Sequence, residues 1–165
     1  MVKRALFCFL FVIFSFSFFP ERASAETVFV YIEKGNINLN NEIKEDAVLW
    51  INRVEDGIMD ILFESGHIVF SNDSGRNQIK EFEKLNQLAK SGGAAILISA
   101  VLNLKITDDI ITISGEYKVY NLYTDNIIYK NNYIFNDVVQ KNSSILEEKL
   151  FLAGQSVGKQ IGPAL

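Results

Sequence analysis

The run AAILISAVLNLK from Ala94 to Lys105, the turn Thr107-Asp108-Asp109, the run IITISGEYKVY from Ile110 to Tyr120 and the run IIYKNNYIFND from Ile127 to Asp137 read as three antiparallel strands in a meander. The middle strand alternates cleanly. Ile111, Ile113, Tyr117 and Val119 fall on one face, and Thr112, Ser114, Glu116 and Lys118 on the other. That period of two is the pattern of a sheet with one face buried and one face wet. The first strand is apolar on both faces near its start and grows polar toward Lys105, which predicts an interior position.

Upstream of the meander the period changes. Thr27 to Glu33 is β-branched and aromatic and reads as a short buried strand. Lys34 to Asn41 is an Asn- and Gly-bearing loop in which Asn40 or Asn41 can cap a helix. Glu42 to Glu64 carries Ile43, Ala47, Ile51, Val54, Ile58 and Leu62 at helical spacing, with Trp50, Met59, Ile61 and Phe63 widening the apolar stripe. Ser65-Gly66 ends that helix. His67 to Ser71 predicts a second strand and Asn72 to Gly75 a turn. Gln78 to Ser91 predicts a second helix with Ile79, Phe82, Leu85, Leu88 and Ala89 inward, stopped by Gly92-Gly93. After the meander, Ser144 with Glu147 forms a capping box. The helix that follows turns Leu146, Leu150, Ala153, Val157 and Ile161 inward and stops at Gly162-Pro163.

The order is therefore βαβαβββα. Strand–helix–strand units favour parallel crossovers, and the meander adds antiparallel strands. The prediction is an α/β (mixed α+β) fold: a mixed sheet of about five strands with helices packed on it.

The first 25 residues read as a leader and residues 26–165 as a single domain. Lys3 and Arg4 precede an apolar run from Leu6 to Phe19, too short to span a bilayer comfortably. Pro20 breaks it, and Ala23-Ser24-Ala25 is a small-residue cleavage site. Cys8 is the only cysteine and lies inside the apolar run, far from the cut, so a lipidated N-terminus is not expected. The expectation is a periplasmic or secreted protein cleaved after Ala25, with no thiol chemistry. A chain of this size can bury a core without disulfides. Setting aside Lys3, Arg4, Arg22 and Glu21 takes 16 basic and 20 acidic residues to 13 and 19, a net charge of −6. So acidic a domain argues against nucleic acid and against direct binding to an anionic membrane. At 48% hydrophobic residues, general disorder is excluded.

Three segments, in order, resemble a known group of envelope domains. The helix end Leu62-Phe63-Glu64-Ser65-Gly66-His67 looks like the "L-x-x-S-G-(R/K)-F" end found in domains related to LpoB, CsgG and the N-terminal domain of TolB. Leu85 to Ser99, LNQLAKSGGAAILIS, is similar to their "A-x-x-x-G-A-D-Y-L-L-x-G" segment. Tyr117 to Tyr129, YKVYNLYTDNIIY, looks like their strand–turn–strand joint. The chain departs from that pattern in having Ala94-Ala95 at the Gly-Ala-Asp position, no lipobox, no propeller and turns too short for pore-forming hairpins. The resemblance implies a stand-alone envelope domain of the CsgG/LpoB/TolB-N-like type that works through protein contacts, with membrane association only through a partner. It does not name the partner, and a homo-oligomer is compatible with it.

No catalytic constellation is present. His67 is the only histidine, so a zinc site is not expected and a structural or surface role is. Glu42, Glu45, Asp46, Glu55, Asp56, Asp60 and Glu64 read as the solvated face of the long helix. Asp108-Asp109 is explained by turn chemistry. The serines lack a histidine base, which leaves only lysine. Gly92-Gly93 follows a helix, whereas a phosphate loop precedes one. The reading is a non-enzyme with no catalytic residue, no cofactor and no metal. Tyr117, Tyr120, Tyr123, Tyr129, Tyr133 and Phe135 cluster at the end of the meander. Such residues serve both half-buried sheets and interfaces. Tyr120, Tyr123 and Tyr129 are the partner-binding candidates. The alternative is a small-ligand or cell-wall glycan site at the same Tyr-rich end.

The exported protein is expected to begin at Glu26 and to carry no acyl group. Intact-mass spectrometry of material recovered from the envelope checks both.

Overall fold

The computed structural model describes residues 25–38, 46–107, 110–138 and 143–165. The elements are β1 (Thr27–Asn38), α1 (Asp46–Glu64), β2 (Ile68–Ser71), α2 (Phe82–Ser91), β3 (Ile96–Thr107), β4 (Ile110–Asn121), β5 (Asn126–Val138) and α3 (Ser143–Ile161), closed by a 3₁₀ turn at Gly162–Ala164. The order βαβαβββα and the mixed α/β class are as the sequence predicts. One five-stranded sheet runs β2-β1-β3-β4-β5. β1 pairs in parallel with β2 and β3, and β3, β4 and β5 form the antiparallel meander. β3 is the central strand.

The leader with Cys8, Ile43, the Asn40 or Asn41 cap and the Asp108-Asp109 turn lie outside the described residues. The largest boundary differences from expectation are at β1 and α2. β1 runs on to Asn38 rather than stopping at Glu33, with a register shift between Lys34 and Ile37. The backbone N–H of Asn36 finds the side-chain oxygen of Asn103 at 2.8 Å, so the polar tail of the strand stays attached to β3. Helix α2 begins at Phe82 rather than Gln78. Residues 78 and 79 are engaged elsewhere: the Gln78 amide donates to the Ile32 carbonyl at 3.1 Å, and the Tyr31 hydroxyl donates to the Ile79 carbonyl at 3.0 Å.

Helices α1 and α3 cover one face of the sheet. Val28, Val30 and Ile32 of β1, Ile98, Leu102 and Leu104 of β3, and Ile111, Ile113, Tyr117 and Val119 of β4 meet Ile51, Val54, Ile58 and Leu62 of α1 and Leu150, Ala153, Val157 and Ile161 of α3. Helix α2 sits on the other face, where Leu85 and Ala89 pack on Phe29, Tyr31 and Leu97. β1 is apolar on both faces because helices lie on both. Phe63 departs from the predicted stripe. It is 72% exposed, because the sheet beside the last turn of α1 ends with the four-residue β2.

Helices α1 and α3 touch backbone to backbone. A Cβ on Gly57 would collide with the Phe151 carbonyl oxygen and lie 2.9 Å from the Gln155 nitrogen. A Cβ on Gly154 would collide with the Val54 carbonyl oxygen and lie 3.1 Å from the Gly57 Cα. Polar pairs flank the seam: Gln155 donates to Asp60 at 2.8 Å, and Arg53 meets Glu147 at 3.1 Å.

Alanine at Gly57 would improve helix propensity by about 1 kcal/mol. Overpacking costs roughly 1–3 kcal/mol and here the obstacle is backbone. Gly57→Ala is therefore expected to lower stability on balance, and Ile51→Ala to lower it by roughly 2–4 kcal/mol through transfer and cavity terms. Urea midpoints of both variants against the parent check the seam and the stripe together.

Candidate interaction surface

The three tyrosines singled out in the sequence do not share one surface. Tyr120, the last residue but one of β4, lies on the α2 side of the sheet and is half-buried, its ring 4.7 Å from that of Phe82. Burial pushes its hydroxyl pKa up. Tyr129, opposite Val119 on β5, lies on the α1/α3 side, half-buried, 5.9 Å from the ring of Tyr117. Tyr123 stands alone at the β4–β5 turn and is 80% exposed. The rest of the aromatic cluster is core. Tyr117 is buried, its hydroxyl donating to Gln160 at 3.2 Å, and burial first of all pushes its pKa up to about 12. Tyr133 is buried opposite Gly115 and donates to the Val101 carbonyl at 2.9 Å, and burial raises its pKa. A Cβ on Gly115 would strike that same carbonyl oxygen, so the small residue makes room for the tyrosine.

The turn that carries Tyr123 is braced. The Asn121 side chain accepts from the backbone N–H groups of Tyr123 and Thr124, both at 3.0 Å. Asp125 adopts φ 56°, a left-handed conformation that suits Asp in a tight turn. Its carboxylate receives the Lys90 ammonium at 2.7 Å and the Asn86 amide at 3.2 Å, both from α2. These two donors hold the Asp125 carboxyl below its ordinary range. The loop tip is thus tied to a helix, and its one large apolar side chain is left outside.

His67 is buried, and its Nδ1 accepts from the backbone N–H of Glu26 at 3.3 Å, a structural contact at the start of β1. Among the described residues no three His, Cys, Asp or Glu side chains converge as a metal site would require. An open groove of about 420 Å³ runs along α1, lined by Asp56, Met59, Asp60, Phe63, Val69 and Phe151. Burial raises the Asp56 carboxyl, opposed by Arg53.

One acidic residue contradicts the solvated-face reading of α1. Glu55 is 3% exposed. Its carboxylate accepts from the Ser74 hydroxyl and, at 3.4 Å, from the Ser74 backbone N–H. Ser74 in turn accepts from the backbone N–H of Ile32 at 3.0 Å. The group therefore links α1, the 72–75 turn and β1. Burial pushes its pKa up to about 7, against the opposing pull of the hydrogen bonds from Ser74 and Ser71. The signal was present in the spacing: Glu55 stands four residues after Ile51 and three before Ile58, on the apolar stripe itself.

No protein-family model matches the chain, and no curated protein matches it. Solved structures do. A PelC dodecamer from Paraburkholderia phytofirmans superposes with a TM-score of 0.57 at 13% identity, over 88% of this chain and 91% of that one. Lipoprotein GNA1162 from Neisseria meningitidis gives 0.49 at 12% identity, over 84% and 99%. TolB from Acinetobacter baumannii gives 0.43 at 14% identity, over 86% of this chain and 28% of that one. At such identities the likeness is one of fold. The narrower CsgG- or LpoB-like reading stays a resemblance of motifs. Among the described residues no helix is long and apolar enough to cross a membrane.

Glu55 sets a pH dependence of stability. Its folded-state pKa of about 7 lies above the ordinary 4.5, so the folded chain holds this proton more tightly than the unfolded chain does. Its contribution is fully present below about pH 4.5 and is lost as pH rises through 7, a change of about 3 kcal/mol. Glu55→Gln cannot titrate. The stability difference between variant and parent should shift toward the variant from pH 5 to pH 8, as read by urea midpoints at each pH.

Proposed function

We propose that this protein is a non-enzymatic module of the bacterial envelope, exported by its leader, that binds or regulates a protein assembly there. The observation that carries the reading is Tyr123: a large aromatic side chain, 80% exposed, on a turn braced to α2 through Asp125. Aromatic anchors of this kind are favoured at interfaces, and a preorganised loop loses little entropy on docking. Tyr120, half-buried against Phe82, and Tyr129, packed on Tyr117 on the opposite face of the sheet, are not part of that turn. Self-association is part of the reading, since the solved PelC chain of similar fold is a dodecamer.

A photo-cross-linking residue at position 123 of the exported protein tests this. It should give a discrete adduct with an envelope protein, while the same probe at exposed Lys84 on α2 should give none. Tyr123→Ala should weaken that partner's binding by about 2 kcal/mol or more, close to thirtyfold, without moving the urea midpoint. Adducts no different from those at position 84 would sink the assignment of this turn.

A further inference from the structure

β5 is the edge of the sheet, and among the described residues no strand lies beyond it. Which of its backbone groups face outward follows from the hydrogen-bond phase of the meander. The Leu122 N–H donates to the Ala95 carbonyl at 2.8 Å, one position beyond the Ile96–Asn121 pair that starts the β3–β4 ladder. In an antiparallel ladder the bonded pairs alternate. Even-numbered β4 residues therefore point to β3, and odd-numbered ones to β5. Val119 pairs with Tyr129, Tyr117 with Asn131 and Ile113 with Phe135, so the odd-numbered residues of β5 bond to β4. The N–H and C=O groups of Lys130, Asn132, Ile134, Asn136 and Val138 point away from the sheet. Two contacts agree independently: the Asn132 N–H is taken up by the Asn131 side chain at 2.9 Å, and the Val138 N–H by the Asp137 side chain at 2.7 Å.

The side chains on that edge select an occupant. Ile134 is 73% exposed and Val138 66%, on the sheet face opposite α1 and α3, which no helix among the described residues covers at this end. The segment from Tyr129 to Val138 holds one cation, Lys130, and one anion, Asp137, in a chain of net charge −4. It is a neutral strip on an acidic molecule, where two copies meet least repulsion. The irregularity between Val119 and Tyr120 interrupts β5 before Tyr129, which leaves 130–138 as the regular stretch, centred on Ile134. Antiparallel pairing of two copies about Ile134 sets only outward-facing residues opposite each other. Ile134 meets Ile134, Asn132 meets Asn136, and Lys130 meets Val138. No like charges oppose, and each exposed isoleucine is covered by the other.

We propose that β5 is a self-association edge that binds β5 of a second copy, antiparallel about a two-fold axis at Ile134, to make a continuous ten-stranded sheet with the α1/α3 layers on one side. This deepens the self-association in the proposed function by naming its surface. It uses no part of the Tyr123 turn, so the two can fail separately.

Sedimentation of the full exported chain tests it. The parent should sediment as a dimer or as an assembly built of dimers. Ile134→Lys sets two like charges face to face and should weaken association at least about tenfold. Ile134→Pro removes an N–H that the β4 ladder does not use, and proline is tolerated at such an edge. It should give the same loss with an unchanged urea midpoint. In the exported chain, expected to begin at Glu26 and so to hold no other cysteine, Ile134→Cys should form a disulfide-linked dimer under mild oxidation. Paired Cα atoms about 5.5 Å apart lie within the span a disulfide bridges. Ile127→Cys, exposed but before the irregularity, should not. A monomeric parent, an assembly whose mass Ile134→Lys leaves unchanged, or a parent edge occupied by a strand of another protein would each overturn the proposal.

Discussion

The contact between Gly57 on α1 and Gly154 on α3 is the constraint on which the rest of the core depends. Side chains any larger would hold the helix axes apart, because each glycine faces a carbonyl or an amide of the other helix and not a movable side chain. With the axes that close, both helices fit over one face of the sheet. Ile51, Val54 and Ile58 from one and Leu150, Ala153 and Val157 from the other then reach the same strands. Dispersion is individually weak and falls quickly with separation, so a layer lifted even slightly would lose much of its contact energy. Two helices that are distant in sequence thereby act as one layer, and the chain's last element is as necessary to the core as its first helix.

Beside that layer the sheet has a defect that polar side chains mend. β1 is twelve residues long and its parallel neighbour β2 only four. From Tyr31 onward β1 would leave backbone groups without partners at a buried position, which is costly. The Ser74 hydroxyl takes the Ile32 N–H, and Gln78 takes the Ile32 carbonyl and the Lys34 N–H. Glu55 holds Ser74 in place from the helix side, and Asn52 holds the next residue through the Gly75 N–H at 2.8 Å. A turn thus does the work of a strand. This is why a carboxylate is kept inside an apolar stripe, where burial raises its pKa against the pull of those hydrogen bonds.

Most of the architecture was legible because periodicity reports burial directly. The alternation through Ile111, Ile113, Tyr117 and Val119 placed β4 with one face on the core, and the spacing of Leu146, Leu150, Ala153, Val157 and Ile161 placed α3. What escaped were features that depend on a second element. Glu55 reads as a surface acid until Ser74 is brought to it. Gln78 and Ile79 have helix-compatible side chains, but Tyr31 and Ile32 recruit them from across the chain. Phe63 fits the stripe by spacing yet has no strand to cover it. Of the tyrosines, composition located the cluster but could not assign faces, since a register irregularity between Val119 and Tyr120 decides which of them share a side.

The two edges of the sheet are finished in opposite ways, and that asymmetry gives the molecule its direction. On the β2 side, Ser74 and Gln78 take up the β1 backbone groups that lie beyond the end of β2. On the β5 side, the only described cover comes from Asn131 and Asp137, each folding back on the amide that follows it. Such local bonds are readily exchanged, because the competing acceptor is a neighbouring chain's carbonyl and the released side chain returns to water. Natural sheets usually blunt a long edge with proline, a bulge or several charges. From Tyr129 to Val138 this edge has no proline, no irregularity and a single lysine, and that lysine is turned onto Glu116 at 2.6 Å rather than outward. Among the described residues nothing further is laid along this edge, and that is the condition the proposed pairing of two copies requires.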